Sequence, residues 1–267
     1  MILDRFRLDG KVAIVTGAGK GIGRGIAIGF AEAGADVVCA ARTEADIKAV
    51  ADEVRALGRR ALAVPTDVTR TEDLENLVAA ALAEFGTIDV LVNNAGGTPP
   101  RPAMDTSEAF FEKALRFNVT AAFLLSKLAA RAMVDTAGSG AIVNISSRSS
   151  DMVQTSFVAY AAAKAALNMM TRNMAAELAP AVRMNAISVG GVATQSLEVV
   201  LTNDHLRTMF EDNTPMHRPG TVEDIACAAL YLTSDASSWV TGKVFQVDGG
   251  TESPSITVPV PPLAPKT

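Results

Sequence analysis

Tyr160 and Lys164, in the run Tyr160-Ala-Ala-Ala-Lys164, form a pair that can handle a proton. On a helix, a spacing of four puts both side chains on one face, about one turn apart. A free phenol titrates near pH 10 and is a poor base at neutral pH. An ammonium about 4–5 Å away, at an effective dielectric of about 20, would favour phenolate by about 3–4 kcal/mol. That is enough to bring a tyrosine toward the working range of an acid–base group. The same spacing also suits an ordinary surface Tyr–Lys pair, so the pair alone does not decide. Ser147 adds a hydroxyl just past the β-rich run Ala141–Ser146. The carboxyl end of a central strand faces the crevice where open α/β sheets bind ligands. There a serine can hold a carbonyl or alcohol oxygen without acting as a nucleophile.

A second constellation lies near the N-terminus, in Thr16-Gly17-Ala18-Gly19-Lys20-Gly21-Ile22-Gly23. Glycines let the backbone turn tightly and approach a pyrophosphate, and the helix start beyond them offers free N–H groups. The spacing is GxxxGxG, from Gly17, Gly21 and Gly23, rather than GxGxxG; an ordinary tight turn is the plainer reading. The next β-rich run ends Cys39-Ala40-Ala41-Arg42-Thr43. A fold that binds NAD usually places a carboxylate there for the ribose 2′-hydroxyl. Here an arginine stands instead, with Lys20 in the glycine loop, and a guanidinium matches a 2′-phosphate. The expectation is NADP(H), with NAD(H) possible if Arg42 is only a solvated charge.

The elements that must position these groups alternate. Strand-like runs are Val12–Thr16, Asp36–Ala40, Ala61–Val64, Val90–Asn93, Ala141–Ser146, Arg183–Ser188 and Val244–Val247. Helical patterns fall at about 22–33, 44–57, 71–85, 105–135, 156–179 and 221–233. This predicts an α/β chain: one doubly wound Rossmann-type domain over 1–250, its seven-stranded parallel sheet flanked by helices. Near-continuous apolar strands fit a sheet covered on both faces. Two segments fall outside the alternation. Residues 189–220 would form a substrate lid or a helical pair with its own small core. Residues 251–267 hold five prolines, Pro254, Pro259, Pro261, Pro262 and Pro265. They form either a loose extended tail or a segment docked on its own or a neighbouring subunit.

Composition excludes other chemistries. The chain has 267 residues, 49% hydrophobic, and a formal net charge of −5, which disfavours nucleic-acid and anionic-membrane partners. No run of about 18 uncharged apolar residues or signal-peptide pattern is evident, and a cytoplasmic location is expected. His205 and His217 fit no HExxH, and GxSxG is absent, so a zinc hydrolase or a Ser-His-Asp triad is disfavoured. No metal site is expected. Cys39 and Cys227 make no CxxC and read as buried core thiols.

TGAGKGIG at 16–23, NNAG at 93–96, Asn118 in FNVT, Ser147, and Tyr160 with Lys164 together resemble the short-chain dehydrogenase/reductases, in order and spacing from about residue 8 to 250. The resemblance implies hydride transfer between NAD(P)(H) and a ketone or secondary alcohol. Tyr160 would be the acid/base, Lys164 would depress its pKa and bind the nicotinamide ribose, and Ser147 would polarise the substrate oxygen. Asn118 would hold a helix kink and a water for proton relay. Cofactor contacts would come from Gly17, Gly19, Lys20, Gly21, Ile22, Gly23, Arg42, Thr43, Asp67, Val68, Asn94, Ala95, Gly96, Tyr160, Lys164, Gly190, Val192 and Thr194. Asp67 would touch the adenine amino group, or simply cap the helix with Thr69. Val189 stands where the family usually has proline, which would loosen the turn beneath the nicotinamide.

The apolar lid residues Leu197, Val199, Val200, Leu201, Leu206, Met209, Phe210 and Met216, with Met152, Val153 and Phe157, point to a bulky apolar substrate. The segment Ala193–Gly250 is similar to the bacterial 7α-hydroxysteroid dehydrogenases and to 3-oxoacyl-carrier-protein reductases. An acyl-carrier partner would need a basic patch, and Arg101, Lys127 and Arg148 are scattered. A non-catalytic dinucleotide-binding scaffold would have no need of the Asn-Ser-Tyr-Lys set. The resemblance also implies a homotetramer, joined through the patterns at 105–135 and 156–179.

Overall fold

The computed structural model describes residues 1–258 together with Val260 and Leu263. Seven parallel strands form one sheet: β1 (Val12–Thr16), β2 (Asp36–Ala41), β3 (Ala61–Pro65), β4 (Val90–Asn93), β5 (Gly140–Ile145), β6 (Val182–Val189) and β7 (Val244–Val247). Their order across the sheet is β3-β2-β1-β4-β5-β6-β7. The chain runs outward from β1 to β3, then crosses back to β4. This reversal opens a crevice beyond the carboxyl ends of β1 and β4.

Alternating side chains fill two cores. From β1, Ala13 and Val15 face one cluster, with Ile26 and Phe30 of α1 (Gly21–Glu32), Ile47 and Val50 of α2 (Glu44–Ala56), and Ile225 and Leu232. Val12 and Ile14 face the other, with Leu74 and Leu77 of α3 (Thr71–Phe85) and residues of the helices described next. Period-two alternation with both faces covered is why these strands read as unbroken apolar runs.

The pattern at 105–135 is three elements: α4 (Glu108–Leu115), a π turn over Arg116–Thr120, and α5 (Ala121–Ala137). The continuous stretch Glu108–Ala137 is long and apolar enough to cross a membrane, contrary to the expectation that no such segment exists. Its apolar residues, including Leu125, Ala129 and Met133, pack into the second core. Helix α6 (Val158–Leu178) follows β5, and α9 (Val222–Thr233) precedes β7. Residues 189–220, the expected lid, contain a 3₁₀ turn (Gln195–Leu197), a short α7 (Glu198–Leu201) and α8 (Asp204–Asp212). Cys39 is buried, but Cys227 is exposed, because α9 turns Ile225, Ala226, Ala229 and Leu232 to the core instead.

The described part of the tail, residues 251–258, is docked on its own chain, the second of the two readings. The Thr155 hydroxyl donates to the Val258 carbonyl at 2.6 Å, and Asn213 Nδ2 to the Ser255 carbonyl at 3.2 Å. Pro259, Pro261, Pro262 and Pro265 lie outside the described residues.

Candidate active site

The glycine loop joins β1 to α1 as its spacing predicts. Gly17 has φ +65°, which favours glycine, and a Cβ there would meet Asn94 Nδ2 at 2.7 Å. A Cβ on Gly23 would collide with the Gly17 carbonyl, so the third glycine packs beneath the loop. Asn94 fastens the loop to β4, its Nδ2 donating to the Thr16 carbonyl at 2.8 Å. Helix α1 begins with no side-chain cap and no acidic residue in its first turn. Its unpaired N–H groups face a cavity of about 420 Å³ that Lys20, Gly21 and Ile22 line. By contrast α9 has a complete capping box, Thr221 with Asp224. An uncapped helix start in a cleft is a cradle for an anionic group.

A second cavity of about 260 Å³ adjoins the first, lined by Gly17, Gly19, Arg42, Thr43, Asp67, Val68, Asn94, Ala95 and Gly96. Lys20 pairs with Asp46 at 3.1 Å, so its charge is already shared. Asp67 Oδ1 accepts from the Thr69 N–H at 2.9 Å and the Thr69 hydroxyl at 2.7 Å. These bonds hold its carboxyl below the usual carboxylate range, with Arg42 contributing less. The local role with Thr69 is therefore real, but it is a turn; the N-cap of α3 is Arg70. Asp67 still lines the cavity, so neither alternative excludes the other.

The chemistry-bearing residues converge on the first cavity. Ser147, Tyr160 and Lys164 all line it, as do Gly190, Val192 and Thr194. Tyr160 and Lys164 lie on α6, with Lys164 Nζ 5.6 Å from the Tyr160 ring centroid. Lys164 is almost fully buried, and its Nζ donates to the Ile145 carbonyl at 2.8 Å. Burial lowers its pKa to about 8. Burial also pushes the Tyr160 phenol up, and hydrogen bonding with Ser147 opposes that rise. The expected acidification of Tyr160 by Lys164 is not among these influences. Desolvation of both groups outweighs their mutual field. Phe157 packs edge-on against Tyr160, centroids 6.1 Å apart.

Asn118 sits in the π turn and is buried. Its Nδ2 donates to the Ala114 carbonyl at 2.9 Å, and its Oδ1 accepts the Gly97 N–H at 2.8 Å. It thus ties the broken helix to the loop after β4. It stands behind the cavity wall: a Cβ on Gly96 would meet Asn118 Oδ1 at 2.8 Å and Lys164 Nζ at 3.2 Å.

A family model described as "Enoyl-(Acyl carrier protein) reductase", of the short-chain dehydrogenase type, matches residues 17–252. The chain belongs to the short-chain dehydrogenase/reductase family. It is 46% identical over 263 residues to an uncharacterised oxidoreductase of Mycobacterium tuberculosis (strain CDC 1551 / Oshkosh), covering 98% of this chain and 100% of that one. It is 42% identical to the 7α-hydroxysteroid dehydrogenase of Escherichia coli (strain K12), covering 92% and 96%. A solved 7α-hydroxysteroid dehydrogenase with NADH and 7-oxo glycochenodeoxycholic acid superposes with a TM-score of 0.89 at 41% identity, covering 93% and 97%. A gluconate 5-dehydrogenase from Burkholderia cenocepacia J2315, with NADP and tartrate, superposes with a TM-score of 0.88 at 34% identity, covering 94% and 98%. This short-chain dehydrogenase/reductase is thus an oxidoreductase of alcohols and ketones that uses a nicotinamide dinucleotide.

Sequence reasoning missed several lining residues of this dehydrogenase/reductase. Thr66 and Phe117 close the Arg42 end, and Gln195 and Ser196 close the other. Phe117 could have been found, since it precedes Asn118 in the helix break. The turn at Val189 is pinned despite the missing proline: Gly190 N–H donates to the Val247 carbonyl at 3.1 Å, and Val192 bridges to Gly220.

A third cavity, about 310 Å³, meets the first at Ser147 and is lined by Met152, Phe157, Leu197, Val200 and Phe210. Val153 does not join them; it is 91% exposed. Of the other expected lid residues, Met216 is exposed, while Leu201, Leu206 and Met209 are half-buried outside the cavity lining. The Val199 side chain lies outside the described residues.

Proposed function

We propose that this enzyme interconverts a bulky, apolar, hydroxysteroid-like secondary alcohol and its ketone, using NADP(H). One observation carries the reading: Ser147 stands where the polar cavity holding Tyr160 and Lys164 meets the apolar cavity of Met152, Phe157 and Phe210. A bound nicotinamide dinucleotide supplies or accepts the hydride. The α1 start and glycine loop would hold its pyrophosphate, and the Arg42–Asp67–Val68 end its adenosine. Lys164 would reach the ribose and Thr194 the pyrophosphate or carboxamide. Ser147 donates to the substrate oxygen and fixes its position. Tyr160 Oη gives a proton to that oxygen in reduction and takes it in oxidation. Lys164 Nζ is held at the site by the Ile145 carbonyl at 2.8 Å, and Asn118 holds the backbone through which a water would carry the proton outward.

The NADP preference rests on exposed Arg42 at the adenosine cavity with no carboxylate on the β2 end. An acyl-carrier substrate has less support. Arg148 is buried in ion pairs, and Arg101 lies over the Phe110 ring at 4.4 Å, apart from it. We also infer a cytoplasmic location and a homotetramer, the assembly supported by Phe123 and Val134 of α5 and Val158 and Met169 of α6, all large, apolar and exposed.

The test is oxidation of NADPH and NADH with a panel of small acyclic and fused-ring ketones. The reading expects turnover, a preference for fused-ring ketones, and a preference for NADPH that Arg42→Asp reverses. No turnover of any ketone defeats the reading; turnover with an unmoved cofactor preference in Arg42→Asp defeats the NADP part.

A further inference from the structure

The apolar cavity has a wall that the lid does not supply. Pro254, Ile256 and Val258 line it from the C-terminal segment, with Ser255 buried between them. The chain bends at Ser255 and Ile256, which brings Pro254, Ser255, Ile256 and Val258 all onto the cavity wall.

The segment is held against the cavity at three separate places. The Ser255 carbonyl accepts from Asn213 at 3.2 Å and its hydroxyl pairs with Thr214 at 3.1 Å, both at the end of lid helix α8. The Val258 carbonyl accepts from Thr155 at 2.6 Å, on the loop between Ser147 and Tyr160. The inner anchor is Arg148, next to Ser147. Its Nη2 donates to the Thr251 carbonyl at 3.0 Å. Its Nη1 meets Asp151 at 2.7 Å, its Nε lies 2.7 Å from Asp248, and Glu252 is 3.6 Å away. The Arg148 side chain is only 6% exposed. A buried guanidinium is costly to desolvate, and such a group is weak evidence for stability as such. What this one does is fix the point at which the chain turns from β7 into the strap. Gly191 completes the chamber opposite, since a Cβ there would collide with the Phe210 ring.

We propose that residues 251–258 form the distal wall of the substrate chamber and set the size and apolarity of the ketone or alcohol admitted, with Arg148 as their positioning residue. This rests on the reading above that the 310 Å³ cavity takes an apolar substrate. The occupant is a compact apolar body whose oxygen reaches Ser147 and whose far end lies against Ile256 and Val258.

The experiment compares kcat and KM for one fused-ring ketone and one small acyclic ketone. It uses the wild type, a chain ending at Glu252, Arg148→Lys, and the two changes combined. The proposal expects the fused-ring to acyclic ratio of kcat/KM to fall about ten-fold or more in the shortened chain, carried by KM. Arg148→Lys lowers the ratio in the full chain but adds nothing in the shortened one, because it acts through the strap. A ratio within about two-fold of wild type in the shortened chain overturns the proposal, as does a further fall on adding Arg148→Lys there. If the shortened chain does not fold, Ile256→Asp in the full chain carries the same expectation and the same contrary result. Wild type that turns over neither ketone overturns the functional reading itself, and this inference with it.

Discussion

Lys164 shows what the site costs at the scale of one residue. An amine that titrates near 10.4 in an unfolded chain titrates at about 8 here, because burial penalises its charge. The unfolded chain therefore binds more protons between those values, and stability rises with pH across that window. Below about pH 8 the full penalty is present. Lys164→Met is expected to raise Tm at pH 7 while abolishing activity, with the Tm difference vanishing as pH approaches about 10.4. Thermal melts at pH 7 and 10 check this; a lower Tm for the variant at pH 7 contradicts it. The Tyr160–Lys164 spacing, Ser147 and the glycine loop were legible because each depends on local geometry. The direction of the Tyr160 shift was not legible: it depends on desolvation by chain remote from Tyr160 in sequence, and spacing carries no record of that.

At the scale of elements, α9 supports the proposed cofactor cradle from behind. Gly25 and Gly29 of α1 let Val222 and Ala226 approach closely; a Cβ on Gly25 would meet Val222 Cβ at 2.8 Å. The start of α9 is held by Asp224, which accepts from the Thr221 N–H at 2.8 Å and from Arg218 at 2.7 Å. The Arg218 hydrogen bond, then the backbone of Thr221, bring its carboxyl down to about 2. The stabilisation is present above about pH 4, the unfolded value, and is lost as pH falls through about 2. Asp224→Asn is expected to lower Tm at pH 7 and to match wild type at about pH 2. Equal melts at pH 7 contradict the capping role. The helix break at Asn118 was legible as a kink in a long pattern. Its form was not, because a π turn is chosen by the Asn118 bonds to Ala114 and the loop at Gly97.

For the whole molecule, the sheet was the most legible part. Strands covered on both faces read as apolar runs, so all seven strands and the order of alternation followed from the pattern. The C-terminal strap was left open between loose and docked, because its anchors join residues far apart in sequence: Asn213 to Ser255 and Thr155 to Val258. Assembly leaves a similar gap. The exposed apolar residues on α5 and α6 predict that Met169→Glu, which puts a charge on a half-exposed α6 position, dissociates the proposed tetramer without unfolding the chain. Light scattering with circular dichroism checks this, and an unchanged mass for the variant contradicts the proposed interface.

In the proposed reaction Tyr160 handles the substrate proton beside Ser147 and Lys164. Tyr160→Phe removes one oxygen and keeps the ring against Phe157. The kcat for ketone reduction is expected to fall by about 10²–10⁴. NAD(P)H affinity, followed by nucleotide fluorescence, and Tm stay close to wild type. Ketone reduction by Tyr160→Phe at the wild-type rate would contradict it.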